Sequence, residues 1–295
     1  MKIAISYHFD ENKPDLWNTP LGVINSFENK GHVVTQYSLN PKNCDMSKLI
    51  NDSDEYDFIM FFFCGPSQSF DEQIKILRNK TKTKIFLELG DEPQTKIDNQ
   101  ERINYVDAFF TPDLRCHKEY ISRGLPTHWM THWSDDKIFY KKENSNRQNI
   151  CVTSCIGNRP LIDEFSDMFK DKFINKQVWN FDNTDHFNSG TFTYQFARFD
   201  EITRRIFEAG GCGNAIITNR ISSETGIYDL FVEDEDICYF STGQEAFKKM
   251  IRLYEDHDYR NKLANNMYKK ITENHLVSNR VDQIIDVYCK TKEIL

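Results

Sequence analysis

Residues 199–219 read FDEITRRIFEAGGCGNAIITN: two acids, Asp200 and Glu201, two arginines, Arg204 and Arg205, a third acid, Glu208, and three glycines, Gly210, Gly211 and Gly213. The chain has 295 residues and only 12 glycines, so three within four positions mark a place where the backbone turns with positive φ or approaches something closely. Guanidinium groups offer forked donors to phosphate or carboxylate, and an acid beside them accepts from hydroxyls. A helix over 201–209 puts Arg205 and Glu208 on one face and leaves Asp200 to cap its first turn. A plain structural account competes: the glycines end that helix and let the strand NAIITN (214–219) start close by. It accounts for the glycines and leaves the arginines and Glu208 without a reason.

The elements that must hold these residues recur along the chain. KIAISY (2–7), HVVTQYSL (32–39), YDFIMFFFC (56–64), KIFLELG (84–90), DAFFTP (107–112) and PTHWMTHW (126–133) are apolar runs of strand length. PLGVINSFENKG (20–31), SFDEQIKILRNK (69–80) and DLRCHKEYISRG (113–124) between them have helical period. SDDKIFYKKENSNRQ (134–148) is polar and aperiodic, a linker. After it the alternation restarts: strands at 149–155, 176–181, 191–197, 214–219 and 236–240, and helices at 160–171 and 201–209. Thr242 to Glu245 form a capping box, and the chain ends in helices near 243–254, 258–274 and 278–291. Apolar strands separated by helices predict parallel sheets covered on both faces. The expected architecture is α/β: two Rossmann-like doubly wound domains facing across a cleft, residues 1–133 and 149–295, the second with a helical tail. Ligands of such sheets bind at the carboxyl ends of the strands.

Composition removes several classes. Net charge is −8, with 15 basic against 19 acidic residues over 1–130 and a similar balance after it, so no basic arm exists to hold duplex phosphates. RNKTKTK (78–84) is the one local basic run, and such a run is more often a solvated helix end. Eight cysteines show no CxxC pair, and Cys64 and Cys151 sit within apolar runs, the pattern of free thiols in a reducing compartment. The N-terminus MKIAISYHFDE has no signal-peptide pattern and no apolar run reaches membrane-spanning length; the expectation is a cytoplasmic protein. The first strand is not followed by GxGxxG, which disfavours a dinucleotide oxidoreductase.

The segment RRIFEAGGCGNAIITNRISSETGIYDLF and its continuation to 256 resemble the C-terminal domain of the two-domain nucleotide-sugar glycosyltransferases of the GT-B fold, closest to the group 1 and spore-maturation-protein-like transferases. The resemblance is carried by an acid, seven residues, then glutamate opening Glu-Ala-x-x-Cys-Gly, here Asp200, Glu208, Ala209, Cys212 and Gly213. Asp200 stands where that family has Glu. The resemblance implies that Glu208 holds the ribose of a nucleotide-diphosphate sugar and that Asp200 or Glu201 contacts the sugar being transferred. It further implies Arg159, Arg204 and Arg205 on the diphosphate, with Gly210, Gly211, Gly213, Asn219 and Thr225 lining the donor. The family's lysine about five residues past its arginine is Glu164 here, so Arg204 or Arg205 would compensate. Transfer without a metal ion or other cofactor, with the nucleotide sugar as co-substrate, and retention at the sugar carbon are the implied chemistry. A nucleotide- or sugar-binding protein that keeps the fold without catalysis is the rival reading.

ELGDEP (88–93) gathers Glu88, Asp91 and Glu92 at a strand end, where Asp91 is the candidate base for an acceptor hydroxyl, with turn capping as the competing role. Glu88 and His8 are placed on the acceptor side. The acceptor itself, whether a saccharide, a protein or a modified DNA base, is open. Asp234-Glu235-Asp236 matches a metal-holding D-x-D string but precedes a late strand and is rejected. His128 and His132, four apart, would share a metal only on a helix, and Pro126 argues against one. Trp17 and Trp133 are candidate sugar-stacking platforms, with core packing as the default.

Overall fold

The computed structural model describes residues 1–9, 18–40, 42, 44–62, 68–143, 145–147, 149–154, 159–178 and 180–293. The chain divides into two units, one of Met1–Thr131 with Val277–Leu295 and one of His132–Leu276.

The first unit runs β1 (Lys2–Tyr7), α1 (Asn18–Asn29), β2 (Val33–Ser38), α2 (Met46–Asp52), β3 (Phe58–Phe62), α3 (Gln68–Lys80), β4 (Lys84–Glu88), α4 (Lys96–Arg102), β5 (Ala108–Thr111), α5 (Leu114–Ser122) and β6 (Thr127–Trp129). Its six strands are all parallel in the order β2-β1-β3-β4-β5-β6, with Phe62 opposite Glu88 and Glu88 opposite Phe110 at the carboxyl edge. Strand side chains alternate between the two faces. Ile59, Phe61, Ile85, Leu87 and Phe109 pack with Leu49 of α2, Ile74 and Leu77 of α3 and Tyr120 of α5. Right-handed crossovers put those helices on one side of the sheet and only α1 on the other.

The second unit runs β7 (Asn149–Thr153), α6 (Ile162–Phe169), β8 (Phe173–Asn175), α7 (Asn180–Ser189), β9 (Gly190–Gln195), α8 (Arg204–Gly211), β10 (Ala215–Asn219), α9 (Ile227–Leu230), β11 (Cys238–Phe240), α10 (Gly243–Glu255) and α11 (His257–Asn274). Its strands are parallel in the order β11-β10-β9-β7-β8. Counted from each unit's first strand, the two sheets have the same order over five strands. The point where the order reverses lies between β1 and β3 in one and between β7 and β9 in the other. Val152, Ile216 and Tyr239 face Phe187 of α7, Ile206 and Phe207 of α8 and Met267 of α11. The alternate residues Cys151, Phe192, Tyr194 and Ile217 face Phe165 of α6 and Met250 and Leu253 of α10. Each such buried apolar side chain contributes roughly 2 kcal/mol.

Three expectations are corrected. The terminal helix α12 (Val277–Glu293) belongs to the first unit, not to a tail of the second. The reason is the sheet face that α1 alone leaves under-covered: the Tyr288 ring packs 5.1 Å from Phe58 and 6.4 Å from Phe86, its hydroxyl donates to Asp57 Oδ1 (3.0 Å), and Arg280 Nε donates to the Thr131 carbonyl (2.9 Å). The expected strand at 176–181 is instead β8 at 173–175 followed by α7, and Trp179 lies outside the described residues. The helix expected at 201–209 is shifted to 204–211, so Asp200 does not cap it; Thr203 stands at the N-cap without a side-chain bond to the first turn. The capping box at Thr242 forms, with Glu245 N donating to Thr242 Oγ1 (3.2 Å), while the Glu245 carboxylate accepts from Ser241 N (2.7 Å). No helix among the described residues is long and apolar enough to cross a membrane.

Candidate functional site

The carboxyl edge of the second sheet is built by Thr153, Gln195 and Asn219, the last residues of β7, β9 and β10. The Asn219 amide accepts from Ala197 N (2.8 Å) and donates to Ala197 O (3.2 Å), tying the segment after β9 to β10. Asp200, at φ 53°, accepts from Ser222 N through Oδ1 (2.6 Å). Asp200 therefore stitches two loops at this edge, in a left-handed conformation that Asp tolerates better than most side chains. Thr225 is fully buried and donates to the Ser222 carbonyl (2.7 Å), shaping the turn ahead of Gly226 at φ 89°. The loop 219–226 is thus internally braced. Glu201 is half-buried beside it, and Arg159 is half-buried ahead of α6; residues 155–158 of its motif, Cys155 among them, lie outside the described residues.

On α8, Arg205 Nη1 donates to Glu208 Oε2 at 2.5 Å, the expected i,i+3 pair, and both side chains are largely buried. Helix α7 packs against α8. His186 of α7 bonds the Thr153 carbonyl through Nε2 (2.8 Å), and burial lowers its pKa, with the Arg205 charge pushing the same way. Arg204 points elsewhere: its guanidinium sits 5.3 Å from the centre of the Trp133 ring. Trp133 is 3% exposed, which makes it core rather than the expected stacking platform, and Trp17 lies outside the described residues.

The three glycines have packing reasons. A Cβ on Gly210 would fall 2.8 Å from Met267 Cγ, and one on Gly211 2.4 Å from Ser134 Oγ and 3.0 Å from the Phe139 carbonyl. Gly213 has φ 77°. The space that Gly210 and Gly211 leave open is occupied by the protein's own α11 and 134–139 segment.

At the carboxyl edge of the first sheet the charges are carboxylates. Glu88 closes β4 and is 3% exposed, whereas Asp91 is exposed on the following turn. The most buried of the three is Glu92, 2% exposed, which accepts on Oε1 from the Tyr120 hydroxyl (2.5 Å) and from Asn99 Nδ2 (3.2 Å). Burial raises its pKa above the usual carboxylate range. The buried acid of the turn after β4 is therefore Glu92, not Asp91. His8 follows β1 half-buried, its pKa lowered by burial.

Other candidates are absorbed locally. Asp234 accepts from the Tyr259 hydroxyl, and Asp236 pairs with Lys270 and accepts from Val232 N (2.9 Å). In the basic run 78–84, Arg78 pairs with Asp107 (2.6 Å), as does Lys84 (3.3 Å). His128 lies in β6, so it shares no helix face with His132. Cys116, Cys151, Cys212 and Cys238 are buried free thiols and Cys44 and Cys289 exposed ones; Cys64 lies outside the described residues.

Sequence reasoning missed α7 and with it His186 and Asn183, the latter fully buried with neither amide atom hydrogen-bonded. The signal available was their i,i+3 spacing in FDNTDHFN, hidden by the apolar run before it.

Two parallel sheets of matched strand order define a doubly wound α/β protein. Residues 148–286 match the family model described as glycosyl transferase-like. The chain has the GT-B fold: it is similar to Anabaena HepE in complex with UDP-glucose, at 14% identity and TM-score 0.69 over 97% of this chain and 99% of that one. An alpha-glucosyltransferase in complex with UDP and a 13-mer DNA with a central A:G mismatch matches at 13% identity and TM-score 0.70, over 98% and 100% of the two chains. Sucrose-phosphate synthase from Thermosynechococcus elongatus matches at 10% and 0.67 over the full length of both. No curated protein matches the sequence.

Proposed function

We propose that this chain moves a sugar from a nucleotide-diphosphate sugar to a hydroxyl of an acceptor. The observation that supports it most is the Arg205–Glu208 pair at 2.5 Å, set on α8 within the glycosyl transferase-like segment. Glu208 accepts from the ribose hydroxyls. Its partner Arg205, together with Arg159 and the free amides at the start of α8, balances the charge that builds on the departing diphosphate. Breaking the glycosidic bond leaves an oxocarbenium-like sugar and an anionic leaving group, so fixed positive charge lowers the barrier, and these residues supply it without a metal ion. Asp200, its Oδ1 held by Ser222 N, contacts the sugar. The acceptor is assigned to the first unit, whose carboxyl edge carries Glu88 and His8, with Asp91 the accessible carboxylate for a base.

The test is a panel of UDP, GDP, ADP and dTDP sugars against glycan, protein and hydroxymethylated DNA acceptors, read by product mass. Transfer is expected from at least one donor, and Arg205→Ala should raise the donor KM and lower kcat together. Tight donor binding with no transfer to any acceptor and no hydrolysis would replace this reading with that of a binding protein.

A further inference from the structure

We infer that Asn219 is a positioning residue of the transfer reaction, holding the chain just ahead of Asp200 so that this acid stays on the sugar. The inference rests on the proposed nucleotide-sugar reading. Resemblance implies a donor contact for Asn219, but its carboxamide faces Ala197, accepting from Ala197 N (2.8 Å) and donating to Ala197 O (3.2 Å).

The last backbone pair between β9 and β10 is Gln195 with Thr218. Past that point the Asn219 side chain takes over, offering Ala197 one donor and one acceptor as the backbone of a neighbouring strand would. Three residues further along both segments, Asp200 Oδ1 accepts from Ser222 N (2.6 Å). Residues 197–200 are therefore laid along 219–222 and tied at both ends. Arg198 and Phe199, between the ties, are exposed, so hydrogen bonds and not burial fix this stretch. Asp200 stands at φ 53°, a conformation that a residue other than glycine keeps only where its surroundings enforce it. The enforcing contacts are Ser222 directly and Asn219 through Ala197.

The nucleotide side of the site is anchored separately. On α8, which carries Arg205 and Glu208, Gly210 lies against Met267 and Gly211 against Ser134. The Phe207 ring of the same helix is 5.4 Å from His275. Loss of the Asn219 tie leaves those contacts in place and frees the segment that carries Asp200. A displacement of about 1 Å at a reacting centre costs on the order of 100-fold in rate, so the effect falls on turnover and not on nucleotide affinity.

The experiment is a double-variant cycle in the full-length protein: Asn219→Ala, Asp200→Ala and the two together. Turnover of UDP, GDP, ADP and dTDP sugars is read as released nucleoside diphosphate with the acceptor panel present. Affinity for each nucleoside diphosphate alone is measured by calorimetry, well below the Tm recorded for each variant. Asn219→Ala should lower kcat about 10- to 100-fold while nucleoside diphosphate affinity changes less than about twofold. In the Asp200→Ala background the same substitution should cost less than about twofold in kcat, because no acid remains to be misplaced. Asn219→Asp, should alanine not fold, keeps the acceptor for Ala197 N, loses the donor to its carbonyl and is read in the same cycle. Equal losses of kcat in both backgrounds, or nucleotide affinity lost in step with kcat, overturn the inference and leave the transferase reading standing. Full kcat in Asn219→Ala or in Asp200→Ala does the same. Absence of turnover by the wild type with every donor overturns both.

Discussion

The two sheets of this chain share a strand order and differ in what they place at their carboxyl ends. The first gathers acids, with Glu88 and Glu92 buried there and Asp113 capping α5 by accepting from Cys116 N (3.1 Å). The second sets arginine against acid, Arg205 on Glu208, and braces its loops with Asp200 and Asn219. The scaffold decides where side chains converge and leaves their charge free. One copy carries buried carboxylates at that edge, the other an arginine–glutamate pair on the helix that follows.

The sharpest way to break this comparison is Glu208→Ala. It removes the partner of a mostly buried guanidinium, so unfolding stability should fall by about 3 kcal/mol. The donor kcat/KM should fall at least about 100-fold, because a misplaced diphosphate clamp misaligns the bond that breaks. Glu208→Gln, which keeps an acceptor for Arg205, should regain most of the stability but not the rate; full activity in either variant removes Glu208 from the ribose.

Gly211→Ala separates packing from ligand contact in the same segment. Its new methyl meets Ser134 Oγ and the Phe139 carbonyl, and a loss of about 1–3 kcal/mol in denaturant unfolding is expected. The kinetics of the folded variant should be unchanged. A stable variant with impaired donor binding would return this glycine to the site.

Glu92→Gln tests the acidic edge and has the smallest effect. Burial raises the Glu92 pKa, so folding favours its protonated form. That stabilising contribution is complete below the pKa of an unfolded glutamate and is lost as pH rises through the folded value. The glutamine variant should therefore gain Tm over the wild type at pH 8 and lose that advantage toward pH 4. A gap in Tm that stays constant with pH would mean that Glu92 does not titrate in this window.

Parallel strands with continuous apolar runs were readable in the sequence, because burial on both faces needs them. The β8–α7 region was not. KQVWNF carries β-branched and aromatic residues, while NFDNTDHFNS is rich in Asn and Asp, poor helix formers. Tertiary bonds override that preference: Thr184 donates to the Ile138 carbonyl (2.5 Å), Asn188 donates to the Tyr140 carbonyl (2.9 Å) and accepts from Lys142 N (2.9 Å). These partners come from residues 138–142, within the stretch read as a linker. In the candidate site the Arg205–Glu208 spacing was legible because it depends only on helical period. Asp200 as a loop brace and the glycines as packing sites were not, since their partners Ser222, Met267 and Ser134 are distant in sequence.

The return of α12 to the first unit sets how the chain can be divided. A gene fragment begun at residue 149 carries a helix whose Val281, Ile284 and Tyr288 have lost the surface they cover, and it deprives the other half of that cover. Only the internal stretch 132–276 can be lifted out as a self-contained insert, and the remainder is a discontinuous body that needs both chain ends at once.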